Sequence, residues 1–197
     1  MSIGLTKTTY SGQIPVWQGI GKDIQLAQGG FALVTTALKD GAVLKAGSPV
    51  IFDEAARTAT VLATGVSVLT SGGSDVTYRV AKGSPFTVGQ YLAAGGTGGK
   101  AYAITVIDTS NADYDVLTVG TTLGVVTAGD TVYASTATGA TASAYGAVNG
   151  LLYDDTIVRA GESISAVIRG TVYARRVPYH SALATALAGK IIYSQSK

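Results

Sequence analysis

The sequence predicts an all-β protein carrying one short helix near its C-terminus, and three observations lead there. A turn-forming phrase recurs four times: Leu44-Lys45-Ala46-Gly47-Ser48-Pro49-Val50, Phe86-Thr87-Val88-Gly89-Gln90-Tyr91-Leu92, Val126-Thr127-Ala128-Gly129-Asp130-Thr131-Val132 and Val158-Arg159-Ala160-Gly161-Glu162-Ser163-Ile164. In each copy a glycine, which tolerates positive φ, stands just before an aliphatic run, so the phrase reads as a corner between strands. Between the corners the chain consists of short runs of Val, Ile, Thr and Tyr bounded by Gly, Asp, Asn and Ser, which is strand and turn chemistry. Only 181–189 has helical spacing with end signals.

Taken in order, residues 1–30 read as an arm. Thr6 to Trp17 is polar and β-prone, Pro15 argues against a helix, and Gly19, Gly21, Gly29 and Gly30 follow. Trp17, the single tryptophan, suits either an anchor on a neighbouring molecule or a ring folded back on its own sheet. Residues 31–38 read as a buried strand and Asp40-Gly41 as a turn. The first corner leads into 50–52, and 58–63 and 66–69 are further strands. The loop 71–74 is a candidate boundary. Residues 76–80 alternate, 95–99 are a glycine-rich hairpin tip, and 101–107 and 114–119 are strands joined by the polar turn 108–113. The third corner opens a strand at 132–134. The Ala/Thr/Ser/Gly run 135–145 suits either a loop or an Ala-rich strand.

The fourth corner opens the longest strand signal, 163–175, with Gly170 suggesting a bulge or bend. In 181–189, Ser181 is the expected N-cap, Gly189 the C-terminal cap, and Leu183 and Leu187 share a face. Residues 191–193 are a closing strand. The corners stand at unequal intervals and the segments between them differ, which excludes a propeller.

Composition narrows the function classes. The chain has 197 residues, of which 47% are hydrophobic and only 13% charged, against roughly 25% charged in ordinary soluble domains. Either part of the surface is covered by other subunits, or it is made of the abundant Thr, Ser and Gly. No apolar stretch approaches the roughly 20 residues of a spanning helix, so no membrane partner is expected. The net charge is +2, and apart from Arg175-Arg176 the cations are scattered, which argues against nucleic acid. The start lacks the pattern of a secretory signal, so the protein is expected to stay in the cell that makes it until released.

No motif carries catalysis. There is no cysteine and His180 is the one histidine, so neither a thiolate metal site nor a Cys nucleophile can be built. A triad would require His180, which sits beside Pro178 and Tyr179 at the start of the helix and reads better as a helix-start or interface residue. Asp53-Glu54 and Asp154-Asp155 are neighbours whose side chains would point to opposite faces of a strand. Asp108 and Asp113 lack the acid spacing of a calcium loop. Ala94 and Ala101 occupy the positions where a phosphate loop ending at Lys100 needs Gly and Ser/Thr. No enzyme activity, cofactor, metal or catalytic residue is therefore expected.

Several segments together resemble tailed-bacteriophage head fiber and capsid decoration (cement) proteins. They are the corners at 45–50 and 159–164, the N-terminal Gly12-Gln13-Ile14-Pro15-Val16-Trp17, the stretch 114–124 and the end 168–179. The resemblance implies a β-clip-like or small-barrel base, a homo-oligomer with a trimer favoured, and attachment to the major capsid protein on the exterior of a virion assembled in the host cytoplasm. It also implies an N-terminal arm reaching the shell, with Tyr10, Ile14, Val16 and Trp17 as the contact residues. The expected organisation is an arm at 1–30, a discontinuous base at 31–74 plus 147–197, and an inserted, projecting β-domain at 75–146. The alternative is a carbohydrate-binding module on the particle, with some of the 11 tyrosines stacking on a host glycan.

Overall fold

A computed structural model describes residues 15–19, 23–27, 30–94, 99–141 and 144–194. The chain is all-β, with one short helix. Seventeen strands are described: β1 (Trp17–Gln18), β2 (Gln25–Leu26), β3 (Phe31–Leu33), β4 (Val43–Leu44), β5 (Pro49–Asp53), β6 (Thr58–Val61), β7 (Thr64–Val66), β8 (Thr77–Ala81), β9 (Tyr91–Ala94), β10 (Ala101–Asp108), β11 (Tyr114–Val119), β12 (Thr131–Ser135), β13 (Gly150–Leu152), β14 (Thr156–Ile157), β15 (Ser163–Ile164), β16 (Ala166–Tyr173) and β17 (Ile191–Ser194). The helix α1 spans Ser181–Ala186.

Two sheets hold nearly all of them. A nine-stranded sheet runs β1-β16-β13-β5-β6-β3-β15, with β2 and β17 also on β16. Its spine is β16, whose Val-Ile-x-Gly-Thr-Val run is long enough to serve four partners. A register shift against β2 falls between Val167 and Arg169, one residue before Gly170. The second sheet runs β7-β12-β9-β10-β11-β8. It curls until its edges meet, where Ser67 bridges Val80 and the Val68 amide donates to the Arg79 carbonyl at 2.9 Å. The bend is taken up in β10, whose register against β11 shifts between Ile104 and Val106. The strands of this sheet come from 64–135, and those of the nine-stranded sheet from 17–61 and 150–194. Of the predicted arm, the described residues 15–19 and 23–27 lie along β16 through β1 and β2.

All four predicted corners are one turn. In each, the residue after the glycine donates its amide to the carbonyl three residues back: Ser48 to Lys45, Gln90 to Thr87, Asp130 to Thr127 and Glu162 to Arg159. The glycines have φ of +83°, +93°, +92° and +80°, the value a type II turn demands at its third residue. In the two corners of the curled sheet the last side chain closes a ring, since Gln90 Oε1 and Asp130 Oδ2 accept from the Thr87 and Thr127 amides at 2.9 and 2.8 Å. Residues 108–113 close on themselves, with Asp108 accepting from Ser110 and Asn111 from Asp113.

The interior is continuous between the sheets. Phe31, Val50, Ala59 and Val61 of the larger sheet pack with Tyr78, Val80, Leu92 and Ile104 of the curled one. A second cluster joins Tyr133 and Tyr145 to Leu151, Val167, Val172, Leu183, Leu187 and Ile191. Leu183 and Leu187 are both fully buried, so α1 is held by its apolar face, each leucine contributing about 2 kcal/mol on burial.

Several sequence expectations need correction. The strand expected over 66–69 lies instead at Thr64–Val66, and the one expected over 163–175 is two strands, β15 and β16, interrupted at Ser165 and ended by a 3-10 turn at Ala174–Arg176. The strand expected over 31–38 ends at Leu33, because the chain turns at once to place the Leu38 amide on the Thr35 carbonyl. The N-cap of α1 is His180, not Ser181. The His180 backbone is extended and its Nδ1 accepts from the Ala182 amide at 3.1 Å, which makes Ser181 the first helical residue. The helix also ends earlier than expected: its C-cap is Leu187, and Gly189, at φ +77°, lies in the following turn, where the Lys190 amide donates to the Leu187 carbonyl at 3.0 Å.

Candidate functional site

The segment Tyr173-Ala174-Arg175-Arg176-Val177-Pro178-Tyr179-His180 ends the spine strand and delivers the chain to α1. Ala174–Arg176 form a single 3-10 turn, which buries Ala174 and sends both arginines outward. Arg176 is engaged, lying 4.2 Å over the Tyr173 ring and donating to the Pro15 carbonyl at 2.7 Å. Arg175 has no hydrogen bond or ion pair among the described residues.

Arg175 stands between two hollows of a groove along the seam of the sheets. The first, about 490 Å³, is lined by Asp130, Thr131, Tyr179, His180 and Ser181. The second, about 740 Å³, is lined by Trp17, Tyr153, Asp154, Asp155, Lys45 and Arg176. Val66 and Val177 line both. A third hollow of about 580 Å³ continues past Val66, Lys45 and Pro178 to Lys39, Asp40 and Lys82.

His180 is held by packing against Tyr133 and Tyr145, with ring centroids 5.8 and 6.2 Å away. Those two tyrosines stack at 4.0 Å and 15°. Because Nδ1 accepts from the Ala182 amide, the neutral ring carries its proton on Nε2. His180 therefore offers the groove a donor and is not poised as a general base. Burial lowers its pKa, with Asp130 opposing this in part. A histidine with a depressed folded pKa binds fewer protons folded than unfolded, so its contribution is complete above pH 6.5 and is lost as pH falls through the folded value. We expect the melting temperature to drop over that interval in the native protein. Substituting H180N, which keeps a capping acceptor but does not titrate, should flatten the slope. H180A should lose about 1 kcal/mol at pH 8. Equal slopes in native protein and H180N would dismiss the assignment.

The residues expected in the arm fall as follows. Tyr10 and Ile14 lie outside the described residues. Val16 is half-buried against the second cluster and its carbonyl accepts from the Tyr173 amide at 3.0 Å. Trp17 is half-buried on β1, its indole N–H donating to the Tyr153 carbonyl at 2.7 Å and its ring lying 6.1 Å from that of Tyr153 at 22°. Lys45 pairs with Asp155 at 2.9 Å, and Asp155 also accepts from the Ala46 amide. Arg175 was visible in the sequence only as half of a basic doublet, Asp130 only as a turn residue and Asp154 only as half of an acidic pair.

No protein-family model, no curated protein and no solved structure matches this chain.

Proposed function

We propose that the chain is a non-catalytic decoration or head fiber protein that binds the outer capsid surface of a tailed phage and stabilises the shell or displays its curled sheet outward. The observation that carries this reading is the fastening of the segment at Pro15. Arg176 holds the Pro15 carbonyl, and the Trp17 indole is tied to Tyr153. Among the described residues β1 is the terminal strand of the nine-stranded path, an edge suited to strand addition by a neighbouring protein. In this reading Tyr10 and Ile14, which lie outside the described residues, belong to the arm that engages the capsid.

The surface supports the same reading. Few charges are available to solvate it, and aliphatic side chains stand exposed: Leu26 and Ile192 on the nine-stranded sheet, Val43 and Ile157 on the separate β4–β14 pair, Val106 on the curled sheet, and Val88 and Val125 outside the strands. Such side chains favour burial between subunits, so a homo-oligomer is proposed, with a trimer as the stoichiometry to test by light scattering.

Capsids assembled from the accompanying major capsid protein should co-sediment the full chain. A chain lacking residues 1–14 should keep its melting temperature and oligomer mass but lose capsid binding by at least about tenfold. Unchanged occupancy by the shortened chain would sink the role of the arm, and failure of the full chain to co-sediment would sink the reading itself.

A further inference from the structure

We propose that the groove on either side of Arg175 binds a neutral oligosaccharide. The proposal rests on the groove alone and does not depend on capsid attachment. A sugar ring has an apolar C–H face and a rim of hydroxyls that both donate and accept. Recognition therefore needs an aromatic shelf and planar or bidentate polar groups together, with no excess of either charge. The groove supplies each.

Trp17 and Tyr153 form the shelf. Their rings are nearly parallel at 22°, but 6.1 Å between centroids leaves them offset, so ring area remains for a ligand in the second hollow that both line. The Trp17 N–H is engaged with Tyr153 and the strand pairing of Trp17 with Val172 sets its position. The shelf is thus rigid before anything binds, which limits the ordering cost of association.

Polar groups with capacity to spare converge from both ends. The Arg175 guanidinium is a planar fork of donors without a protein partner among the described residues. It lines both hollows, where its fork can donate to two vicinal hydroxyls of one sugar ring. Asp154 supplies a carboxylate at the aromatic end, and Thr131 and Ser181 hydroxyls line the other. Asp130 is fixed by its bond from the Thr127 amide.

Charge selects the class. Lys45, Arg175 and Arg176 line the two hollows together with Asp130, Asp154 and Asp155. Three cations against three anions, with the Lys45–Asp155 pair already joined at 2.9 Å, leave no net attraction for a polyanion or a polycation. Groups of both signs interleaved with aromatic faces match hydroxyls, which donate and accept. Each hollow lies within the roughly 300–1,000 Å³ typical of small-molecule sites, so a chain of two or three sugar rings spans them.

The test is calorimetric titration of the full-length protein with neutral trisaccharides (maltotriose, cellotriose, tri-N-acetylchitotriose), alongside trigalacturonate and a hexaglutamate peptide. At least one neutral sugar should bind, with affinity changing less than about twofold between low and high salt, since no net charge is neutralised. R175K keeps the charge but loses the fork, and should weaken that sugar about tenfold. K100Q, outside the groove, should leave it unchanged, and neither variant should shift the melting temperature or capsid co-sedimentation. Binding by none of the neutral sugars, salt-sensitive binding of trigalacturonate or hexaglutamate alone, or indifference to R175K would each overturn the proposal.

Discussion

Replacing Asp115 with alanine should destabilise the protein by about 3 kcal/mol, more than removing its cationic partner. Asp115 lies on β11 in the inward alternation with Leu117 and Val119, and it is wholly buried. Its Oδ2 accepts from the Gly83 and Ser84 amides, both at 3.0 Å, and from the Ser84 hydroxyl at 3.2 Å. Its Oδ1 faces Lys82 Nζ at 3.1 Å. One carboxylate thus closes the turn after β8 and pins it to β11, its hydrogen-bonded neighbour. Without it, two amides lose their acceptor, one of them in the interior, at about 1–3 kcal/mol for a buried group. Lys82 is 39% exposed and also donates to the Thr109 and Asn111 carbonyls, so the ion pair itself is screened and weighs less. K82M should therefore cost about 1 kcal/mol. If urea melts showed K82M to be as damaging as D115A, the ion pair and not the turn amides would carry the effect.

The same group sets an acid limit. Burial alone would raise the Asp115 pKa; the Ser84 amide, Lys82 and the Ser84 hydroxyl more than reverse this and hold it below its ordinary value of 3.8. A carboxyl with a lowered folded pKa binds fewer protons folded than unfolded. Its contribution is complete above the ordinary value and disappears as pH falls through the folded one. D115N should accordingly lose stability at pH 7 and show a shallower decline than the native protein below about pH 4.

The residues disclose some of this and conceal the rest for physical reasons. The corners are legible because a glycine before an aliphatic run has few other uses, and all four adopt the turn. Asp115 could have been singled out, since it is the polar member of an otherwise apolar inward face. Its partners at 82–84 could not, because they depend on how β8 pairs with β11. Pairing is where sequence is weakest. Alternation specifies which side chains face inward but not which strand lies alongside. Nothing in 166–173 announces that β16 takes four partners, or that β3 and β6 run parallel. The helix start was misplaced by one residue because a serine is the usual cap, whereas here the tyrosine pair holds the His180 ring where its Nδ1 meets the amide. The groove was concealed for the same topological reason. Trp17 stood out as the one tryptophan, but Asp130, Tyr153 and Arg175 share a groove with it only because β1, the curled sheet and the end of β16 converge.

Gly47 should prove less replaceable than the corner glycines Gly89 and Gly161, although by sequence it resembles them. Its φ of +83° costs any L-residue about 1–2 kcal/mol, and that term is shared with Gly161, where an added methyl would meet nothing within 4 Å. At Gly47 the methyl would fall on Val177 Cγ1 and lie 2.7 Å from its Cβ. The backbone there has little room to yield. The Gly47 amide donates to the Leu152 carbonyl at 2.8 Å, and the preceding Ala46 amide donates to Asp155 at 2.8 Å. Overpacking adds about 1–3 kcal/mol, so G47A should cost about 3 kcal/mol in thermal or urea melts and G161A about 1 kcal/mol. V177A would leave the Cβ contact at 2.7 Å in place, whereas V177G removes the whole obstacle. In a double-mutant cycle V177G should restore the steric part of the G47A loss and leave the part due to φ, a coupling of about 1–2 kcal/mol. Additive losses would mean that the turn conformation alone requires glycine. A coupled result would show that this corner is the surface against which the 3-10 turn of Ala174–Arg176 and the following Val177 are seated. It would then follow that G47A shifts the segment carrying Arg175, and that a change in the corner whose Lys45 lines the second hollow reaches Arg175 through a single methyl-to-valine contact.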